Sequence, residues 1–267
     1  MDLLAVTGGH RVDLAAFAAM LDAVSDEEGW RWAHAVQPAA QRWLKPGTPW
    51  DVLVLHDIAG LGLVRGEPPE VRPPPDRTRT DLVDLLDEGR GVVVLHHALA
   101  SWPTWDEWAG FMGGRFLYAP GTLRGRPEPS GGTKLVRYRA RPVAGDHPIL
   151  SGVGEADLDD EVYLCPVFED EVVPLVRGDF DTDGASFIST YEHVLVGEER
   201  APRCEARRAS DLIAWATTAR RSPVVYIQPG DSGATFAMPW YRRLLANAIR
   251  WAASGEARAW AAQREGR

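Results

Sequence analysis

The stretch GVVVLHHA, residues 91–98, is an uninterrupted aliphatic run that ends in two adjacent histidines. A run of this length without polar alternation is typical of a strand buried on both faces of a parallel sheet. Two other runs end in the same way, because residues 3–6 lead into TGGH at 7–10 and residues 52–55 lead into His56 and Asp57. Since the carboxyl ends of parallel strands meet at one edge of a sheet, we expect these histidines to share one active or binding site.

The order of apolar and amphipathic segments along the chain predicts alternating strands and helices. Strands are predicted over 3–6, 30–36, 50–56, 91–95 and 224–228, and helices over 13–25, 80–88, a tryptophan-rich segment ending near Met112, and 239–251. This alternation indicates an α/β protein with a mainly parallel sheet and helices on both faces. A proline-rich insertion at residues 67–76 is predicted to be a surface loop, because proline has no N–H donor and a fixed φ.

The domain organisation follows from length and from a change of pattern near residue 133. A chain of 267 residues can form one large α/β domain, and we assign 1–255 to it. Within it, residues 133–191 contain short β-like runs and are predicted to be a β-rich extension of the sheet or a covering flap. Residues 256–267 are read as a C-terminal tail, either an additional helix or frayed. The acidic run at 157–161 is of the kind that usually forms a solvated turn.

Composition excludes several classes of function. The hydrophobic fraction of 45% and the charged fraction of 25% are ordinary for a globular protein, while the formal net charge of -9 argues against nucleic acid as a partner. No segment approaches the ~20 apolar residues of a membrane span, and no basic leader precedes the first strand, so a cytoplasmic location without a membrane partner is expected. Cys165 and Cys204 are predicted to be reduced thiols, because they form neither a CxxC pair nor a disulfide framework.

Seven short motifs, in this order, resemble those of the ThuA-like family. They are TGGH at 7–10, WDVLV at 50–54, GVVVLHHA at 91–98, the segment 108–116 with its GGRF, DHPI at 146–149, DEVY at 160–163 and PWYRRLL at 239–245. The resemblance implies a flavodoxin-like fold related to class I glutamine amidotransferases. It also implies a role in carbohydrate metabolism, since the family is linked to the use of disaccharides and keto-sugars.

Two departures from these relatives bear on the chemistry. Amidotransferases carry a nucleophilic cysteine on the sharp turn after a central strand, where this chain has His96 and His97. Glutaminase chemistry through a thiolate is therefore excluded, because neither Cys165 nor Cys204 lies near that turn. Many ThuA-like proteins have Leu-Gly-His after the last strand, whereas this chain has Asp231 in place of the histidine, which is expected to change or abolish the chemistry.

The candidate site residues fall into two groups. The predicted catalytic residues are His96, His97 and Glu161, with one of the two adjacent imidazoles moving a proton near neutral pH and Glu161 as its partner. Predicted substrate-binding residues are Gly8, Gly9, His10, His56, Asp57, Trp102, Tyr163 and Asp231. The roles of Glu161 and Tyr163 rest on the resemblance. The alternative is that the histidines only tie neighbouring loops together.

Three hypotheses for the function stay open on the sequence alone. The first is an enzyme that acts on a disaccharide or keto-sugar derivative by acid–base chemistry, through isomerisation, elimination or hydrolysis. The second is a metal-dependent hydrolase with Zn or Mn held by strand-end histidines together with Asp57 and Glu161, although no spacing in the sequence forces such a site. The third is a non-catalytic sugar-binding or regulatory module. All three take a small-molecule sugar as ligand, and a homo-oligomer is compatible with each.

Overall fold

The computed structural model describes residues 1–204 and 209–264, and its elements alternate along the chain much as predicted. The strands are β1 (Asp2–Gly8), β2 (Arg31–Val36), β3 (Val52–Asp57), β4 (Leu61–Gly62), β5 (Glu70–Val71), β6 (Gly91–Leu95), β7 (Gly121–Leu123), β8 (Arg126–Glu128), β9 (Gly132–Pro142), β10 (Ala156–Leu164), β11 (Val173–Gly178), β12 (Ile188–Ser189), β13 (Leu212–Ala219) and β14 (Ser222–Ile227). The helices are α1 (Leu14–Glu28), α2 (Asp76–Asp87), α3 (Asp106–Met112), α4 (Thr190–Val196), α5 (Gly233–Ala237), α6 (Pro239–Ala252) and α7 (Gly255–Arg264).

One ten-stranded sheet organises the molecule, in the order β10-β9-β11-β13-β14-β6-β3-β1-β2, with β12 beside β9. The half from β14 to β2 is parallel throughout, and the half from β13 to β10 is antiparallel. The predicted α/β fold with a mainly parallel central sheet is therefore confirmed. Since β1, β3, β6 and β14 run in one direction, the segments that follow them emerge at a common edge.

Helices cover both faces of the sheet because successive strand residues point to opposite sides. In β3, Val52 and Val54 face a core that includes Phe17 of α1, while Leu53 and Leu55 face a second core built from α2 and α3. Helix α1 begins at the predicted cap, where the Asp13 carboxylate accepts a hydrogen bond from the N–H of Ala16 at 3.0 Å. This satisfies one of the N–H groups that the first turn of a helix leaves without an intrahelical partner.

The segment 133–191 extends the sheet. Strands β9, β10 and β11 of this segment belong to the antiparallel half of the sheet. The acidic run at 157–161 lies inside β10, where a solvated turn was expected. The run is a strand because its alternate residues Leu158, Asp160 and Val162 are buried while Asp157 and Asp159 are exposed.

Other differences from the sequence-based expectations are smaller. The proline-rich insertion holds the two-residue strand β5, which pairs with β4. Strand β13 was not predicted, since its alternating alanines in LIAWATTA give a weak strand signal. Most of the predicted C-terminal tail is helix α7, and residues 265–267 of it lie outside the described residues. In the part of the chain that is described, no helix is long and apolar enough to cross a bilayer.

Two glycines at the end of β1 allow the backbone there to pack closely against the end of β3. Gly8 and Gly9 have φ of 114° and 76°, in the left-handed region that favours glycine. A Cβ on Gly9 would lie 2.0 Å from the carbonyl oxygen of Ile58, just beyond β3. These glycines therefore bring the backbone after β1 against the backbone after β3.

We predict that Gly9→Ala lowers the free energy of unfolding by roughly 2 kcal/mol or more, because it adds a backbone clash to the strain of a positive φ. Gly47→Ala is the matched control, since Gly47 has a φ of 72° but no atom within 4 Å of the position that a methyl group would take. It should lose only about 1 kcal/mol. Urea denaturation of the wild type and the two variants measures both losses of unfolding free energy. Equal losses in Gly9→Ala and Gly47→Ala would show that close packing at Gly9 is unimportant.

Candidate functional site

The turn that follows β6, residues His96–Ala100, places His96 at the centre of the sheet edge. His96 has a φ of 46°, a left-handed conformation that is uncommon for a residue with a side chain and typical of functional turns. Its carbonyl accepts a hydrogen bond from the Tyr226 hydroxyl at 3.0 Å, which holds the turn against β14. The imidazole is completely buried, so the turn points this side chain into the protein and not toward solvent.

The two ring nitrogens of His96 have different tasks. Its Nδ1–H donates to the carbonyl oxygen of Gln228 at 2.7 Å. Its Nε2 lies 2.9 Å from the Tyr163 hydroxyl, 3.2 Å from Glu161 Oε2 and 3.5 Å from Asp231 Oδ1. Because the carbonyl fixes the proton on Nδ1, Nε2 is the atom that can gain, lose or share a proton.

Two carboxylates set the charge of His96. Burial alone lowers the pKa of this imidazole, but hydrogen bonds and opposite charge from Asp231 and Glu161 outweigh it and raise the pKa to about 10. The hydrogen bond with His96 in turn lowers the pKa of Asp231. At neutral pH the centre is therefore an imidazolium beside two carboxylates. The stability that the charged His96 gains from Asp231 and Glu161 is fully present below pH 6.5 and is lost as the pH rises through about 10.

Buried polar residues hold the two carboxylates in place. The Asp160 carboxylate accepts from the N–H of Gly230 at 2.7 Å and from the N–H of Glu161 at 3.0 Å. Gln228 accepts from the N–H of Tyr163 through its side-chain oxygen at 3.2 Å. Neither Asp160 nor Gln228 was predicted from the sequence, although Asp160 belongs to the DEVY motif. Together they fasten β10 to the segment after β14, which carries Asp231.

Three further histidines pack beside His96 as a neutral group, which we call the imidazole cluster: His10, His56 and His97. The His97 ring centroid lies 4.6 Å from that of His10 and 4.3 Å from that of His56. Burial and the charge of His96 lower the pKa of His56 to about 3, burial lowers the pKa of His97 well below its usual range, and burial lowers that of His10 as well. These imidazoles therefore stay neutral next to the cationic one.

The hydrogen bonds of the imidazole cluster tie separate segments together. His56 Nε2–H donates to the carbonyl of Gly230 at 3.1 Å, and His97 Nε2–H donates to the carbonyl of His56 at 3.3 Å. The Nδ1 atoms of His56 and His97 are buried without a hydrogen-bond partner among the described residues. The cluster thus joins the turn after β6 to the end of β3 and to the segment after β14, and His96 alone of the adjacent pair faces the carboxylates.

Two predicted binding residues lie on the other side of the sheet. Asp57 follows His56 in β3, so the pleat turns it to the opposite face, where its carboxylate accepts from the Gln37 amide at 2.8 Å. Burial raises the pKa of Asp57 to about 7. Trp102 belongs to that same face, where its ring lies against Gly60. Among the described residues, no hydrogen bond or ion pair joins Asp57 or Trp102 to His96, Glu161, Tyr163 or Asp231, although Trp102 and Tyr163 belong to the same apolar core.

Solvent reaches this centre through the carboxylates. The Glu161 side chain is 23% exposed and that of Asp231 is 35% exposed, whereas His96 lies behind them at 0%. Glu161 also lines a cavity of about 540 Å³ between β9, β10 and the segment 185–203, which we call the extension cavity. A larger groove of about 1170 Å³ lies near the β7–β8 hairpin, and none of its lining residues in the described part of the chain is a histidine. Of these two cavities, the extension cavity is the one that borders a member of the candidate centre, Glu161.

The same centre has the donor set of a metal site. His96, Glu161 and Asp231 each offer one ligand atom, and these three atoms lie within 4.8 Å of one another. An imidazole whose Nδ1–H is bound by a backbone carbonyl is oriented as metal-bound histidines are. The residues therefore fit a divalent ion such as Zn²⁺ or Mn²⁺, which accept imidazole and carboxylate ligands.

The sheet order, the turn after β6 and the polar sheet edge define a protein of the glutamine amidotransferase-like fold class in which that turn carries histidine. Within this class the chain belongs to the ThuA family, described by the words trehalose utilisation, because the family model matches residues 66–252, more than half of the chain. The ThuA-like resemblance predicted from the sequence motifs is confirmed, and with it a carbohydrate-related role.

Solved structures share this fold at low sequence identity. A ThuA-like protein from Parabacteroides merdae is 15% identical, with a TM-score of 0.67 over 96% of this chain and 90% of that chain. A cytoplasmic protein from Salmonella typhimurium is 12% identical, with a TM-score of 0.55 over 94% and 99%. A glutamine amidotransferase from Thermotoga maritima is 8% identical, with a TM-score of 0.50 over 96% and 99%. Comparison with curated proteins gave no match.

The lowered pKa of His56 predicts a specific acid sensitivity. An unfolded histidine binds a proton below pH 6.5 and the folded His56 does so only near pH 3, so acid favours the unfolded state across that window. Replacing His56 with Asn should reduce the pH dependence of the free energy of unfolding by about 1.4 kcal/mol per pH unit within it. His193→Asn, outside the imidazole cluster, is the control for denaturant titrations between pH 4 and 6.5. Unchanged slopes in His56→Asn would contradict the neutral state of this ring.

Proposed function

We propose that this protein is a carbohydrate-metabolism enzyme that acts on a disaccharide or keto-sugar derivative by acid–base chemistry at His96 and Glu161. The observation that carries the proposal is the convergence of two carboxylates and a tyrosine hydroxyl on the Nε2 atom of one buried imidazole. Coupled groups of this kind are typical of sites that transfer protons. Buried free cysteines support a reducing compartment, and we propose a cytoplasmic location for the enzyme.

The exposure of each group suggests its role. Glu161 is the partly exposed carboxylate that borders the extension cavity, so it is the residue positioned to exchange a proton with a substrate carbon or hydroxyl. His96 lies behind it and keeps Glu161 paired with a positive charge. Tyr163 stacks on the His96 ring at 4.5 Å and is itself stacked on Phe116 at 4.1 Å, which fixes the plane of the imidazole.

This arrangement suits removal of a proton beside a sugar carbonyl. Such a step needs a base at the carbon and a positive or hydrogen-bonding group for the negative charge that develops on oxygen. Glu161 supplies the base, and the buried positive charge of His96, whose Nε2 lies 3.2 Å from Glu161 Oε2, favours the negative charge that develops on the sugar oxygen. The proton that Glu161 takes up can return to the sugar at a neighbouring position or to a departing group, which corresponds to isomerisation or elimination.

Glu161→Gln should keep the fold and reduce turnover of responsive keto-glycosides or disaccharides by about 10²–10⁴-fold, since an amide cannot act as the base. Asp159→Asn is the matched control, because Asp159 lies on the same strand but is exposed and, among the described residues, has no hydrogen bond or ion pair with His96. The test is to assay both variants and His96→Gln against a panel of keto-glycosides and disaccharides. Wild-type turnover in Glu161→Gln would rule out this mechanism, and binding without any product in the wild type would instead support a sugar-binding module.

Metal-dependent hydrolysis is a second candidate function, favoured by the three ligand atoms of His96, Glu161 and Asp231. A divalent ion bound there would lower the pKa of a water molecule and polarise a substrate oxygen. The chain's own contribution would be the Gln228 carbonyl and Asp160, which orient His96 and the two carboxylates.

If this candidate is correct, purified protein should contain close to one Zn or Mn per chain, and Asp231→Asn should contain much less. Tyr163→Phe is the control, since the phenol touches Nε2 but is outside the donor set, and it should retain the metal. Elemental analysis before and after treatment with a chelator measures the metal content. Turnover assays on the same samples test whether activity depends on the metal. Metal-free protein that keeps its full activity would reject metal-dependent hydrolysis and leave the acid–base mechanism.

A further inference from the structure

Strands β9 and β10 present an open face beside the candidate centre. Tyr138 of β9 packs into the core, whereas its neighbours Arg137 and Arg139 are exposed on the other side of the sheet. Directly paired residues of antiparallel strands point to the same face, so the partners of these arginines in β10 lie on the open face as well. Glu161 belongs to the same row of β10 and borders the extension cavity.

A regular pairing of opposite charges along this face is broken at Glu161. Two carboxylates of β10 lie opposite arginines of β9 in register, namely Asp157 opposite Arg139 and Asp159 opposite Arg137. The first of these pairs is an ion pair, with 3.4 Å between Arg139 Nε and Asp157 Oδ1. The third carboxylate, Glu161, lies opposite Leu135. The position where the pattern would place a cation therefore holds an apolar side chain.

The leucine leaves Glu161 with a single cationic partner. In the part of the chain that the structure describes, His96 is the only basic side chain within ion-pair distance of the Glu161 carboxylate. Cβ atoms of directly opposite residues are about 5 Å apart, so an arginine at position 135 would reach the same carboxylate and compete with His96 for it.

Leu135 is also unusually accessible. At 69% it is the most exposed of the large hydrophobic side chains among the described residues. Single exposed leucines are common on protein surfaces, but this one lines the extension cavity beside Glu161, and Ile188 and Ala185 add apolar atoms to the same lining. Ligand pockets typically combine apolar surface with a few placed polar groups. Leu135 and Glu161 supply these two elements side by side.

We propose that Leu135 is a specificity-determining residue whose exposed side chain packs against the C–H face of the sugar ring that reacts at Glu161. The inference rests on the proposed function, because it assigns a further residue to the same site. A sugar ring carries most of its hydroxyl groups at its rim and C–H groups on its faces. Apolar contact with one face leaves the rim accessible to the neighbouring carboxylate.

The experiment is calorimetric titration of the full chain with trehalose and isomaltulose, which are disaccharides without and with a ketose unit. Leu135→Asn, of similar size but polar, should weaken binding of at least one probe by about tenfold, because it removes the apolar contact. Leu135→Phe should strengthen binding of the same probe severalfold, because it offers a larger apolar surface. A purely structural role for this side chain would not give opposite changes in affinity.

Val143→Asn is the matched control, since Val143 is an exposed hydrophobic residue just beyond β9 that does not line the extension cavity. Its affinity for both probes should stay within about twofold of the wild type. The proposal is overturned if neither probe binds, if both Leu135 variants keep the wild-type affinity, or if Val143→Asn weakens binding as much as Leu135→Asn does.

Leu135→Arg separates the role of this residue from the proposed chemistry. A guanidinium opposite Glu161 should hold its carboxylate above β9, as Arg139 pairs with Asp157, so kcat should fall at least tenfold, whereas Leu135→Asn should act mainly on KM. Probes that bind and respond to the Leu135 variants without any turnover would reject the acid–base mechanism and keep the role of Leu135. Turnover that no Leu135 variant changes would reject the role of Leu135 alone.

Discussion

The structure depends on one constraint, which is that His96 must be buried with a positive charge. An imidazolium without exposed surface is stable only if its protons and charge are matched, and a carbonyl and two carboxylates do this here. The left-handed turn after β6 sets the position of the imidazole, and the hydrogen bond from the Gly230 N–H to the Asp160 carboxylate holds the segment that carries Asp231. A second positive imidazole nearby would destabilise the first. Burial prevents this, because it lowers the pKa of each surrounding histidine and keeps it neutral.

Much of this arrangement could be predicted from local sequence. Buried parallel strands are recognisable because an unbroken aliphatic run such as that of residues 91–95 is typical of a strand buried on both faces. Polar residues directly after such runs must lie at the sheet edge, which is why the sequence indicates His10, His56, His96 and His97 as neighbours. The family motifs added Glu161 and Tyr163, which belong to a strand whose partners cannot be predicted from spacing.

Other features depend on geometry that a linear sequence does not contain. The pleat turns His56 and Asp57 to opposite faces, and only the exact end of β3 decides which of them meets the other imidazoles. Asp160 was missed because an acidic run resembles a surface turn until its alternating burial in β10 is known. The choice between His96 and His97 likewise required the φ angle of the turn, since adjacent side chains diverge in a direction that residue type does not specify.

The candidate centre takes its groups from both the parallel and the antiparallel half of the sheet. The histidines and Asp231 follow parallel strands, whereas Glu161 and the floor of the extension cavity belong to antiparallel ones. Under the proposed function, insertions or substitutions between β11 and α4 could therefore alter which molecule is accepted while His96, Glu161 and Asp231 stay unchanged. Such modularity would let one scaffold diversify its specificity without rebuilding its chemistry.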